Sequence, residues 1–166
     1  MPGKQHEVKF RFLAQPTDVN FGGKVHGGMV MKWIDQAGYA CAVGWSGRYC
    51  VTVAVGGIRF VRPILIGDLV TVHCQLIYTG NTSMHFGVDV VAKDLVSGTE
   101  SLATHCVIVM VGTDASGRPT PVPKWEPESE DDRALAIYAQ KLMELDRNLE
   151  QEIARYREDA HLPQPG

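Results

Sequence analysis

From Tyr49 to Val111 the chain offers four strand-like segments in succession, joined by connections too short to hold a helix: Tyr49 to Val61, Leu69 to Tyr78, Ser83 to Leu95, and Ser101 to Val111. Val70, Val72, Cys74, Leu76 and Tyr78 face one way in the second, and Met84, Phe86, Val88, Val90 and Ala92 do so in the third, the period-two alternation of sheets with one buried face. Thr79-Gly80-Asn81 and Val96-Ser97-Gly98 are hairpin signals, and Arg62-Pro63 to Gly67-Asp68 supplies a third connection. With a short strand from Glu7 to Leu13 and a single helix from about Gly27 to Gly44, the order is β-α-β-β-β-β. That is an α+β chain with one helix against a largely antiparallel five-stranded sheet.

The helix carries the chemistry. It opens on Gly27-Gly28, so it presents unpaired backbone N–H groups and the positive end of its dipole, which suit a carbonyl oxygen gaining negative charge. Two turns on, at about 100° per residue, Asp35 returns to the face of Gly28, about 10 Å along the axis. Val30, Trp33, Ile34, Ala37, Ala40 and Cys41 make the helix apolar on nearly all sides, so Asp35 is expected to be shielded from water, where desolvation can tune it. The competing reading is a surface Asp paired with Lys32. A sheet covers only one side of such a helix. A second copy of the domain, joined edge to edge, would cover the rest and remove an exposed strand edge.

Composition narrows the partners. A net charge of −3 with a sequence pI near 6.0, and no Lys- or Arg-rich block, gives no reason to expect nucleic acid. No apolar run reaches the roughly 20 residues that span a bilayer, and the N-terminus lacks a signal-peptide pattern, so no membrane partner is expected and the protein is placed in the cytoplasm. Cys41, Cys50, Cys74 and Cys106 lie within apolar patterns and read as reduced packing residues. His73, His85 and His105 alternate with apolar residues on sheet faces; no metal-ligand spacing appears, and no metal is expected. The glycines from Gly22 to Gly27 lack the Lys-Ser or Lys-Thr of a phosphate loop, and Gly44-Trp45-Ser46-Gly47 misses the nucleophile elbow.

Past Thr113 the character changes. Pro119, Pro121, Pro123 and Pro127 mark a poorly structured connector, then an acidic run from Glu126 to Asp132 leads into a helix capped by Asp131 or Asp132. Leu135, Tyr138, Leu142, Leu145, Leu149, Ile153 and Tyr156 recur at three- and four-residue steps. This stripe either packs back on its own domain or meets a partner.

The strand and helix order, the loop Asn20 to Val25, His26-Gly27-Gly28, Asp35, and Phe60-Val61-Arg62-Pro63 followed by Gly67-Asp68 together resemble the hot-dog-fold acyl-CoA thioesterases. The chain is similar to the bacterial short- and medium-chain acyl-CoA hydrolases and the cytosolic acyl-CoA hydrolases of animals over about Lys9 to Pro123. The resemblance implies a sheet wrapped around the central helix in residues 1–123, with 124–166 as a Pro-rich connector and C-terminal amphipathic helix. It implies hydrolysis of acyl-CoA to fatty acid and coenzyme A, in dimers with composite sites that assemble as trimers of dimers. Asn20 and Asp35 are then the catalytic pair, contributed by opposite subunits.

Within that frame Asp35 is general base or nucleophile, and Asn20 orients water or carbonyl through an amide that donates and accepts. The N–H groups of Gly27, Gly28 or Met29 form the oxyanion site. His26 stands where many bacterial relatives carry Phe and is read as a substrate contact or helix cap. Thr52 and the backbone from Val55 to Gly57 line a pantetheine tunnel, Ser83 follows the hairpin as a possible substrate contact, and Trp33 and Tyr39 are guesses for closing the acyl tunnel. Arg59, Arg62 and Lys93 are candidates for coenzyme A phosphates. No separate cofactor is expected. Two alternatives stay open: a hot-dog hydratase or dehydratase using His26 with Asp35, and a non-catalytic acyl-CoA sensor.

Overall fold

The structure, a computed structural model, describes Gly3 and residues 5–166. Strand β1 (Glu7–Leu13) leads through a 3-10 turn (Pro16–Asp18) to helix α1 (Gly27–Ser46). Strands β2 (Cys50–Phe60), β3 (Leu69–Thr79), β4 (Ser83–Lys93) and β5 (Glu100–Gly112) follow, then helix α2 (Glu130–Asp159). The strands form one sheet in the order β1-β3-β4-β5-β2, antiparallel throughout, and α1 packs against all five. This is the helix wrapped by a sheet that the sequence implied.

The inner face of the sheet is built as the alternation required. Val70, Val72, Cys74 and Leu76 of β3, Met84, Phe86, Val88 and Val90 of β4, and Ile108 and Met110 of β5 are buried there against Val30, Ile34, Ala37 and Cys41 of α1. Small residues let the helix approach closely. A Cβ on Gly38 would stand 3.1 Å from Ile108 Cγ2 and 3.3 Å from Met110 Sδ, so glycine lets α1 sit at this depth without displacing those side chains. The four cysteines are free and buried, as expected of packing residues; burial pushes the Cys106 thiol up to about 12, and contact with Cys41 together with burial pushes Cys74 up as well.

Three expectations are corrected. The helix does not stop at Gly44: the Ser46 hydroxyl donates to Ala42 O at 2.8 Å, Trp45 is buried, and Gly47 in the left-handed region closes the end with its N–H on Val43 O. Tyr78 does not continue the inner row, because a bulge between Leu76 and Tyr78 turns it outward, edge-to-face against His85 at 5.2 Å. Nor is α1 apolar all round: Met31, Lys32, Asp35, Gln36 and Tyr39 form an exposed strip along it.

The outer face belongs to α2. Its cap is Ser129, not an aspartate: the Ser129 hydroxyl accepts from Asp132 N at 3.0 Å while the Asp132 carboxylate accepts from Ser129 N at 3.1 Å, a reciprocal capping box. Leu135, Tyr138, Ala139 and Leu142 seat the helix on Ile77 and Val107. The connector has no regular structure yet is tied down. Thr120 N donates to Gly112 O at 2.8 Å, Trp45 Nε1 to Pro123 O at 2.8 Å, and Trp125 N to Thr79 Oγ1 at 2.9 Å.

Candidate active site

The loop before α1 is shaped by Asn20. Its Oδ1 accepts from Gly22 N at 2.9 Å and Lys24 N at 3.2 Å, its backbone N donates to Lys24 O at 2.7 Å, and Gly23 turns the chain at φ +76°. Both acceptor positions of the side-chain oxygen are thereby used, which leaves the exposed Nδ2 as the working group. Asn20 is the loop-turn residue here, and its side-chain NH2 has no acceptor among the described residues.

Val25 N donates to Ile64 O at 2.9 Å and His26 N to Asp18 O at 2.9 Å, which fixes the loop against the segment after β2 and aims the start of α1. The His26 side chain makes no capping bond; its carbonyl accepts instead from Met29 N at 3.0 Å and Val30 N at 3.1 Å. Met29 is thus occupied and drops out as an oxyanion donor. Among the described residues the N–H groups of Gly27 and Gly28 have no acceptor. A Cβ on Gly28 would meet nothing within 4 Å, so its backbone faces open space, whereas one on Gly27 would stand 3.3 Å from the Phe60 ring. A cleft of about 340 Å³ opens here, lined among others by Asn20, Lys24, Gly27, Phe60 and Arg62. Gly27 thus brings an unpaired donor and Asn20 an amide to a partly apolar slot, with Lys24 and Arg62 beside it.

Asp35 lies seven residues beyond Gly28 on the exposed strip, about 10 Å along the axis, and does not line that cleft. Its Oδ1 accepts from Thr52 Oγ1 at 2.5 Å, a link from α1 to the edge strand β2. It pairs with Thr52 and not with Lys32. The expected shielding from water is absent: Asp35 is exposed in this chain.

The remaining candidates divide between the two faces of the sheet. Val55 packs on the inner core and Gly57 sits at φ +69° in a bulge of β2, both on the strand that carries Thr52. Arg62 lines the cleft, joined by Lys24, which the sequence reading missed although it stands in the glycine loop two residues before His26. Arg59 and Lys93 are on the outer side: Arg59 opposes His105 in the register, and Lys93 opposes the exposed Leu13 row through Leu69. Ser83 is also outside, 3.4 Å from His85 Nε2, so one chain does not bring these three to the cleft. Trp33 is core, edge-to-face with Phe12 at 4.7 Å, while Tyr39 shares the exposed strip with Asp35. The histidines read as sheet-face residues are there. His73 meets Glu7 at 3.0 Å; His105 meets Asp89 at 2.6 Å and Tyr138 OH at 3.0 Å; burial pushes His85 down to about 4. Among the described residues no group of three or more His, Cys, Asp or Glu is placed to hold a metal, and no helix is long and apolar enough to cross a membrane.

A helix wrapped by a sheet, with bare glycine N–H groups at its start and a carboxylate two turns on, offers stabilisation for a developing oxyanion and a separate basic group. The model of the thioesterase superfamily matches residues 22–99, which takes in Asp35 and Thr52 and begins just after Asn20. Protein VdlD of Helicobacter pylori is 34% identical over 72% of this chain and 68% of its own length. The acyl-CoA thioester hydrolase YciA of Salmonella typhimurium is 34% identical over 72% of this chain and 92% of its own. A solved apo-hexameric acyl-CoA thioesterase superposes with a TM-score of 0.83 at 29% identity, over 89% of this chain and 95% of that one. The chain belongs to the thioesterase superfamily.

Proposed function

We propose that this chain hydrolyses acyl-CoA thioesters to free fatty acid and coenzyme A, at sites each built from two copies of itself. The observation that carries the reading is the pair of unpaired N–H groups at Gly27, which lines the cleft with Asn20, and at Gly28, whose backbone faces open space beside it. The thioester carbonyl oxygen points at these donors, which stabilise the charge it gains as the carbon becomes tetrahedral. Asp35 comes from the other copy, because its own helix holds it about 10 Å from its own Gly28. As general base it takes a proton from the attacking water; the C–S bond then breaks and the proton passes to the departing thiolate. As nucleophile it forms a mixed anhydride that water opens. Thr52 holds the carboxylate in one orientation in either route.

His26 at the helix start borders the substrate path, and Thr52, Val55 and Gly57 of β2 run beside the pantetheine arm. Arg62 and Lys24 at the cleft serve the coenzyme A phosphates. Coenzyme A enters as part of the substrate, and the chemistry needs no further cofactor. Likeness to YciA, named an acyl-CoA thioester hydrolase, supports the reaction class, and likeness to a hexameric thioesterase supports dimers assembled as a trimer of dimers. Residues 1–123 form the catalytic unit and 124–166 a strap on its outer face, in a protein of the cytoplasm.

Shared sites make a sharp test. Asn20→Ala and Asp35→Asn are each expected to abolish most thiol release from acyl-CoA. Co-expressed, they form mixed dimers in which one site regains both native residues, so activity returns to about a quarter of wild type by random pairing. No recovery in dimers shown to be mixed would place both residues in one subunit's site and overturn the composite reading. Loss of enoyl absorbance from crotonyl-CoA without free thiol would replace hydrolysis by hydration.

A further inference from the structure

Helix α2 crosses the outer face of the sheet toward its open edge and does not stop there. Its first turns stand by Gln75 of β3, Leu135 to Leu142 pack on Ile77 and Val107, and Met143, Asp146, Arg147 and Glu150 border Val53 and Ala54 of β2. No strand follows β2 in the sheet order. Past Glu150 the helix continues to Asp159, about 14 Å at 1.5 Å per residue. Every residue of that stretch is exposed except Arg157, whose guanidinium bonds Pro163 O at 2.8 Å. At about 4.8 Å between strands, the overhang would span two or three further strands if the sheet continued.

The overhang is apolar on one side only. Leu145, Leu149, Ile153 and Tyr156 are 62%, 56%, 41% and 64% exposed. At about 100° per residue they fall within about 60° of Leu142, on the same side as Leu135, Tyr138 and Ala139, which seat the helix on its own sheet. The face that packs on the sheet is therefore carried past the edge of the sheet unchanged. It needs a surface that prolongs the sheet in its own plane. The dimer proposed above, joined along β2, supplies one by symmetry, and the second copy offers its own overhanging helix in return.

We infer that the C-terminal half of α2 lies across the dimer seam on the second copy of this chain, with Leu145, Leu149, Ile153 and Tyr156 packed on the partner. The helix is thus a clasp: its first half is held by its own sheet and its second half by the neighbour. This rests on the edge-to-edge dimer of the proposed function and adds to it a contact outside the catalytic unit.

The test uses the full chain carrying Leu149→Glu and Ile153→Glu, followed by sedimentation on dilution. The expected result is a dimer dissociation constant raised on the order of a hundredfold, since two charges would otherwise be buried unpaired. A milder Leu149→Ala, Ile153→Ala pair is expected to raise it about tenfold. Asn148→Glu with Gln151→Glu, which adds the same charge away from the stripe, is expected to change nothing. Helical circular dichroism should be retained in all three. Unchanged dimer dissociation in the stripe variants overturns the clasp while leaving the dimer standing. A hexamer that falls to intact dimers overturns it too, by assigning the stripe to contacts between dimers. A monomeric wild-type chain overturns both this inference and the shared-site reading beneath it.

Discussion

Helices α1 and α2 lie on opposite faces of one sheet, and they are held to it in different ways. α1 has 20 residues, nine of them buried, and its polar residues are confined to a narrow strip; α2 has 30 and buries only Ala139. The first is a core element made possible by small residues, with Ala37, Gly38, Cys41 and Ala42 against the sheet. The second is a largely solvated helix held by a stripe. A carboxylate on α1 is consequently held by a rigid element, the setting the proposed catalytic role of Asp35 needs, whereas the exposed stripe of α2 can meet a second copy, as inferred above, without disturbing it.

The largest expected effect falls on α1. Asp35→Asn keeps the shape and the Thr52 contact but removes the charge, so kcat for thiol release should drop by about a thousandfold, within the range for losing a general base or nucleophile. The melting temperature should barely move, because Asp35 is exposed within its chain. A variant with undiminished kcat would reduce the strip on α1 to an ordinary polar face and erase the contrast with α2.

Next comes the seat of α2, which differs from that of α1 in holding a buried imidazole. His85 lies on the outer face, with Tyr78 and Ser83 against its ring and Ala139, Leu142, Met143 and Asp146 of α2 around the same space. Burial lowers it from 6.5 to about 4 in the folded chain. Above pH 6.5 both folded and unfolded chains carry it neutral. As pH falls from there toward 4 the unfolded chain binds the proton and the folded chain does not, so stability is lost, by up to about 3 kcal/mol. Denaturant midpoints measured from pH 7 to pH 4 should therefore fall less steeply in His85→Gln than in wild type. Equal slopes would mean the seat of α2 is as indifferent to acid as that of α1.

Gly38→Val probes the other seat. Its Cβ already meets Ile108 at 3.1 Å, and two further methyl groups must displace the helix, for a loss of about 1–3 kcal/mol in urea unfolding. Kinetic damage should accompany it, since α1 carries both the glycine donors and Asp35. A neutral result would show that the close approach of α1 has slack.

Much of this was legible in the sequence because it is local. The β1 bounds, the inner rows of β3 and β4, and the start of α1 follow from alternation and from the glycine pair. Gly44 reads as the end of α1, but the helix runs on to Ser46: the Ser46 hydroxyl bonds Ala42 O one turn back, and Trp45 finds its partner, Pro123 O, only in the folded chain. Of the candidates, Asn20, Gly27 and Arg62 line one cleft, while Arg59, Lys93 and Ser83 fall on the outer side of the sheet. The alternation that buries Met84 and Ala92 itself sets Ser83 and Lys93 on the opposite face, whereas two register shifts in β2 break the alternation from which a face for Arg59 could be read. The bond from Thr52 to Asp35 joins residues 17 apart on different elements, and no spacing rule encodes it.

The smallest effect tests how α2 is aimed. Tyr138 reaches from α2 to His105 Nε2 at 3.0 Å, and His105 Nδ1 meets Asp89 at 2.6 Å, a chain of two bonds from the helix to the middle of the sheet. The two ring nitrogens of His105 are thus each engaged, Nδ1 by the Asp89 carboxylate and Nε2 by the Tyr138 hydroxyl. Tyr138→Phe removes one hydrogen bond but keeps the ring that helps seat the helix on Ile77 and Val107. Because His105 is partly exposed, water can replace the lost donor, and the cost should be about 0.5–1.5 kcal/mol in urea unfolding. Asp89→Asn weakens the same chain from its far end. If the two bonds act together, the double variant will lose less than the sum of the singles. Strict additivity would mean that α2 is positioned by its apolar stripe alone, as its overhanging half must be.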